Sequence, residues 1–405
     1  MAKRVVVIGG GASGLMAAIT AARKNAAVTV VEHKDRVGKK ILMTGNGKCN
    51  LTNMSDFHGK YFGNDVDKIY SILKRFSADD TRKFFREIGL YTKEKRDGGV
   101  YPVSEQATSV LDVLRTECEH LGIHIMTGCE VDCISPNAKG GTVKTNLGKL
   151  AFDSLILATG GQAAAVSGSD GSGYRLAKQL GHEILKPLPA LVQLRCEGNF
   201  FKSVAGVRAQ AFLQLFIDGN PIAKEEGELQ LTDYGISGIP VFQFSRIVAR
   251  ALQKNQKCEV EINFMTYVSE TETQDMIKNA KDFSYKTVEE WLSGMVHKKI
   301  AALICRQHKI SSGTKLSEVS ERDIRVCMHA LQHFRVVVKE TNPFENAQVC
   351  SGGVLLKELD ADLQSLKCPH VFMAGELLDC DGICGGYNLQ WAWTTGAIAG
   401  VAAAK

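Results

Sequence analysis

The sequence predicts an α/β fold. A nucleotide-binding domain is built from both ends of the chain, and a β-rich domain carrying a helical stretch is inserted between them. Three observations predict it. A short apolar strand runs into a glycine-rich turn near the start, and a strand with a second glycine-rich loop returns near the end. Between them the hydrophobic pattern leaves α/β alternation for short alternating runs, then for helical spacing. At 405 residues the chain is too long for one typical domain, so two or three are expected.

Residues 4–8 (RVVVI) read as a buried strand, and Gly9-Gly10-Gly11-Ala12-Ser13-Gly14 then satisfies G-x-G-x-x-G. Leu15 to Lys24 continue at helical spacing, and a second strand, Ala27 to Val31, ends in Glu32. Each glycine has a mechanical reason: Gly9 for the tight turn, Gly11 for close approach of a pyrophosphate, Gly14 for helix–strand packing. Ala12 and Ser13 open the helix whose N–H groups face the phosphates. Glu32 is placed to accept the ribose hydroxyls of an adenosine and to repel a 2′-phosphate. A signal peptide is the competing reading of this stretch, but four glycines would break its apolar region.

The fingerprint alone does not separate FAD from NAD; the far end does. A strand, Val371 to Ala374, runs into Gly375-Glu376, then a glycine-rich loop, then a helix from about Asn388. A C-terminal strand and helix that rejoin the first domain suit the ribityl chain and flavin of FAD. "DSLILATGG" (153–161) adds a strand ending in Thr159-Gly160-Gly161, a crossover back to the same domain.

On "VVVIGGGASGLMAAI", "GNGKCNLTN", "YPVSEQATSVLDVL", "LILATGG", "GSDGSGYRLAKQLGH" and "AGELLDCDGICGGYNLQWAWTTGAIAG", the whole chain resembles the aminoacetone oxidase-like family of FAD-binding flavoproteins. That family includes 3-dehydro-bile acid Δ4,6-reductases, to which the cysteine-bearing loops look nearest, and ribosomal RNA dihydrouridine synthases. The resemblance implies a Rossmann-type FAD-binding domain. It puts the 43–53 loop along the pyrophosphate and toward the flavin, through Gly45, Gly47, Cys49, Asn50 and Thr52. Lys40, with Lys39 and Lys48, can balance phosphate charge. Val131, Thr159, Gly160, Gly375 and Glu376 are further cofactor residues on this resemblance, as are Gly386, Asn388 and Leu389. Cys384 and Tyr387, in the loop expected beside the flavin, are the candidate proton donors. The chain departs from its relatives at Thr232 to Pro240, where a histidine they carry is replaced and Asp233 or Tyr234 stands nearby.

In the middle, short alternating runs over 191–231 contain a hairpin-like Asp218-Gly219-Asn220-Pro221 turn. A helix is expected from Pro240 to Gln253, then a strand in "KCEVEINFM", helical spacing over 265–332, and a strand over 335–340. The domains expected are 1–189 with 348–405 for FAD, 190–264 with 333–347 for a β-rich substrate domain, and 265–332 for a helical subdomain. An active site where insert and FAD domain meet would follow.

The net charge of +5 comes without a clustered basic face, so it neither demands nor forbids RNA. The twelve cysteines form no C-x-x-C and lack histidines at zinc spacing; reduced thiols, no metal site and a cytoplasmic location are expected. No stretch reaches the roughly 18 apolar residues that cross a bilayer. With a single fingerprint, a nicotinamide donor, NADH or NADPH, would share the substrate cleft. The leading expectation is therefore an NAD(P)H-linked flavin reductase of a conjugated C=C bond in a steroid-like enone. Uracil reduction in ribosomal RNA and oxidation of an aminoacetone-type amine by O₂ are the alternatives.

Overall fold

The RVVVI run forms the strand Arg4–Ile8, buried from Val5 onward. It lies in the middle of a parallel sheet ordered Val371–Met373, Ser154–Leu157, Arg4–Ile8, Ala27–Val31, His124–Met126. Strands covered on both faces read as continuous β-branched runs, as residues 5–8 and 28–31 do. The structure, a computed structural model, describes residues 2–405. These divide into one compact unit made of residues up to Ala190 with Phe344–Lys405, and a second over Leu191–Pro343.

Within the first unit, the helix Ala12–Ala22 follows Gly11 with no side-chain cap, and ends before Asn25 in a left-handed conformation. The C-terminal helix, Tyr387–Ala403, is buried almost all round. It meets the first helix through two glycines. A Cβ on Gly396 would lie 2.4 Å from Ser13 O, and one on Gly400 2.3 Å from Ala17 O. Only glycine permits so close a backbone approach. Its two tryptophans anchor it further: Trp391 Nε1 donates to Gly375 O (3.1 Å) and Trp393 Nε1 to Leu51 O (2.9 Å).

The second unit is a closed antiparallel barrel of strands Leu194–Cys196, Gly235–Ser237, Asn220–Leu231, Arg208–Ile217, Cys258–Asn263 and Phe334–Thr341. Alternation along Arg208–Ile217 sends Ala211, Leu213 and Leu215 to the core, where Phe244 and Val248 of the helix Ile239–Gln253 join them. The hairpin turns at Asp218 (φ +49) and Gly219 (φ +81), both left-handed, which suits the twist of paired strands. Four helices, Glu270–Asn279, Val288–Leu292, Lys298–Gln307 and Glu321–Gln332, lie between its last two strands; Ser269, Thr287 and Ser320 start three of them as capping boxes.

Away from the glycine loops, the first unit buries a polar cluster. His182 Nδ1 lies 2.8 Å from Glu358 and Nε2 2.8 Å from Ser365 Oγ, while Lys367 Nζ holds the other Glu358 oxygen at 2.6 Å. Ser365 Oγ accepts the N–H groups of Lys367 and Cys368, so its own proton points to Nε2 and His182 is neutral. Burial holds its pKa below the usual 6.5 against the pull of Glu358. A depressed group contributes stability above its unfolded value and loses it as pH falls through its folded value. The melting temperature is therefore expected to fall as pH drops below about 6.5. His182→Gln should cost about 1–3 kcal/mol and remove that part of the slope; a wild-type pH profile in the variant contradicts the assignment.

Candidate cofactor site and active-site residues

The first turn is built by exclusion. A Cβ on Gly9 (φ +104) would lie 2.4 Å from Ala158 O and one on Gly14 1.8 Å from Gly9 O, whereas one on Gly11 meets nothing within 4 Å. Gly9 and Gly14 thus close strand and helix together. Gly11 keeps an open approach to the uncapped N–H groups of Gly11, Ala12 and Ser13. At the tip of the second strand, the Glu32 carboxylate accepts the Gly10 N–H (2.9 Å) on one oxygen and the Lys34 N–H (2.8 Å) on the other. Its direction is set before any ligand arrives.

The 43–53 segment is a kinked turn rather than a plain loop. Gly45 (φ +55), Asn46 (φ +55), Gly47 (φ +81) and Cys49 (φ +56) are left-handed, and Thr52–Asn53 ends it as a short strand. The Asn50 Oδ1 and Thr52 Oγ1 atoms are buried without a partner. A Cβ on Gly386 (φ +97) would lie 2.6 Å from Thr52 O and 2.8 Å from Asn50 Oδ1, so this turn sits against the start of the C-terminal helix. Cys49 is fully buried and its thiol is pushed up to about 12 by burial. The thiol therefore stays neutral.

Lys40 and Glu376, each assigned separately to the cofactor, face one another: Nζ donates to Oε2 at 2.7 Å and also reaches Ala163 O at 3.2 Å. The other Glu376 oxygen accepts the Cys350 N–H (2.7 Å). Lys39 instead pairs with Asp35, and Lys48 with Glu105. Thr159 Oγ1 is buried without a partner beside left-handed Gly160 (φ +73). Gly375 (φ +76) passes so near Ser13 that a Cβ would lie 2.3 Å from its hydroxyl.

In the C-terminal loop, Asn388 accepts from Gly382 N–H (2.8 Å) and donates to Gly382 O (2.9 Å) and Ile383 O (3.3 Å). It organises the 382–386 turn, and Leu389 packs on the core behind it. Val131 starts the strand Val131–Asn137, two residues past Cys129, whose N–H donates to Glu32 O (3.0 Å), and its own carbonyl accepts from Arg175 (3.0 Å). Cys384 is half-buried. The Tyr387 ring is buried edge-on against Phe57 (5.9 Å) and Tyr61 (5.8 Å), and burial raises its pKa. In the second unit, Tyr234 accepts from Asn342 (3.0 Å) beneath the Arg195 guanidinium.

A dinucleotide with a long polyol fits this set. The first helix offers uncapped N–H groups, Glu32 offers acceptors, and Asn50, Thr52 and Thr159 present buried polar atoms that water or ligand must satisfy. Sequence reasoning missed His33, Asp170 and Cys350. Asp170 lies in the glycine-rich "GSDGSG" run, which sequence can show; His33 and the backbone N–H of Cys350 leave no signal. Among the described residues, no group of three or more His, Cys, Asp or Glu is placed to hold a metal, and no helix is long and apolar enough to cross a membrane. Glu32→Ala is expected to weaken FAD binding about 10- to 100-fold, read by quenching of flavin fluorescence; unchanged affinity contradicts the assignment of Glu32.

The comparisons with known proteins agree with this geometry. Residues 3–402 match the HI0933-like protein Rossmann domain. The chain is 41% identical to the 3-dehydro-bile acid delta(4,6)-reductase of Clostridium scindens, over 99% of each chain. It is 27% identical to the ribosomal RNA dihydrouridine synthase of Haemophilus influenzae, over 96% of each. Among solved structures, 99% of the chain aligns with 99% of the 3-ketosteroid delta1-dehydrogenase from Sterolibacterium denitrificans (TM-score 0.50, 12% identity). All of it aligns with 78% of a flavocytochrome c3 fumarate reductase (TM-score 0.50, 16% identity). At such identities the structures speak for the fold alone. The chain belongs to the HI0933-like protein Rossmann domain family, and its fold is a Rossmann-type FAD-binding domain split across both termini with a β-rich insert.

Proposed function

We propose that the chain is an FAD-dependent reductase of a conjugated carbon–carbon double bond in a steroid-like enone such as a 3-dehydro-bile acid, with NADH or NADPH as donor. The observation that carries this reading is 41% identity over 99% of both chains to a protein named for that reaction. FAD, when bound, supplies the hydride carrier between the nicotinamide and the double bond. The chain's own residues then hold and orient it. The Gly11, Ala12 and Ser13 N–H groups take the pyrophosphate, Glu32 the ribose, and the Lys40–Glu376 pair the ribityl hydroxyls. Asn388 fixes the turn that carries Cys384 and leads into Tyr387 at the start of the last helix; these are the groups proposed to protonate the substrate carbon. With only one G-x-G-x-x-G, the nicotinamide donor uses the substrate's own entrance.

Ribosomal RNA uracil is the second reading, favoured by 27% identity over 96% of both chains. It needs basic groups open to a phosphate backbone. On the inserted helical stretch Lys298, Lys309, Lys315 and Arg322 are exposed, while Lys299 and Arg306 reach Ala205 O (3.0 Å) and Ser203 Oγ (2.8 Å).

The test is anaerobic reduction of the protein with NADH or NADPH, followed by a 3-oxo-4,6-diene bile acid or air. Reoxidation by the steroid much faster than by air is expected. Fast reoxidation by air with none by steroid contradicts the reading. Tyr387→Phe and Cys384→Ala separate the donors: loss of about 10²- to 10⁴-fold in the steroid step is expected for the donating residue, and full turnover removes a residue from that role.

A further inference from the structure

We propose that His33 is a second adenosine-reading residue, set beside Glu32 to accept a hydrogen bond from the adenosine half of FAD. The inference rests on the flavin reading above and concerns one corner of the first unit. His33 directly follows the strand-end acid, and its Nε2 is buried with no partner. A buried ring nitrogen left unsatisfied is costly, so such an atom at a ligand site is reserved for the ligand.

The "GSDGSG" run, which the single nucleotide fingerprint leaves without a role, folds over the same corner. A Cβ on Gly168 (φ +110) would lie 3.5 Å from Lys34 Cγ, 3.6 Å from His33 Nε2 and 3.9 Å from Glu32 Oε1. The φ of +110 favours glycine there, and an added Cβ would lie in van der Waals contact with all three side chains. From the same run, Asp170 brings a carboxylate oxygen to 4.0 Å from His33 Nδ1, while its other oxygen accepts the Ser172 N–H (2.9 Å). A carboxylate on the Nδ1 side favours the tautomer with its proton there, which leaves Nε2 as an acceptor. Glu32 beside it is an acceptor too. Together they select a ligand edge that carries donors. The ribose hydroxyls and exocyclic amine of adenosine are such donors, and FMN lacks this half altogether.

The test compares FAD with FMN on the full chain stripped of flavin and reconstituted, by flavin fluorescence, for wild type, His33→Ala, His33→Gln and Asp170→Asn. His33→Ala is expected to raise the Kd for FAD about three- to tenfold while the FMN Kd and the melting temperature of the flavin-free form stay at wild-type values. His33→Gln, which keeps an acceptor, should recover part of the loss, and Asp170→Asn should lose less than His33→Ala. An unchanged FAD Kd in His33→Ala overturns the proposal. So does equal weakening of FAD and FMN, or a lowered melting temperature of the flavin-free form that accounts for the loss. A wild-type chain that takes up no FAD overturns the flavin reading itself, and this inference with it.

Discussion

Gly396 and Gly400 let the C-terminal helix lie backbone to backbone on the first helix, and the nucleotide end of the fold depends on that contact. At Gly400 an added Cβ would meet Thr20 Oγ1 at 2.1 Å and Ala17 O at 2.3 Å, so no side chain fits without separating the helices. Because they touch, the two chain ends make one site. The indole of Trp391 reaches Gly375 O and that of Trp393 reaches Leu51 O, each satisfying a buried N–H that would otherwise be costly. The turn at 43–53, the strand end at 375 and the start of the last helix are thereby tied to one element.

Much of this was legible because it is local. The strand–turn–helix at 4–24 and Glu32 at the next strand's tip are short-range patterns of period and glycine position. The Asp218-Gly219 turn shows itself in the same way, through two left-handed residues between alternating runs. What pairs at long range was not legible. Lys40 and Glu376 are far apart in the chain, so sequence assigned each to the cofactor without showing that they grip one another. Phe57 and Tyr61 pack around Tyr387 from another part of the chain, and nothing near Tyr387 announces its burial. His33 escaped because a single histidine after an acid has no pattern; only its unpartnered nitrogen and the segment folded over it give it meaning.

The inserted unit shows a similar limit. Its long strands alternate clearly, and the helices carry three capping boxes that sequence can state. Closure into a barrel depends instead on two three-residue strands, Leu194–Cys196 and Gly235–Ser237, too short to carry a period. At their junction a Cβ on Gly235 would lie 2.2 Å from Leu194 O, so the residue that permits closure has no side chain to signal it.

The measurement that bears most directly on this account is the flavin content of the purified chain, counted as FAD released per polypeptide, for wild type and Gly400→Leu. The account predicts about one FAD per wild-type chain and little or none in the variant, whose bulk forces the two helices apart. A wild-type chain purified without flavin that takes up none on reconstitution, or a Gly400→Leu chain that keeps its full complement, would contradict it.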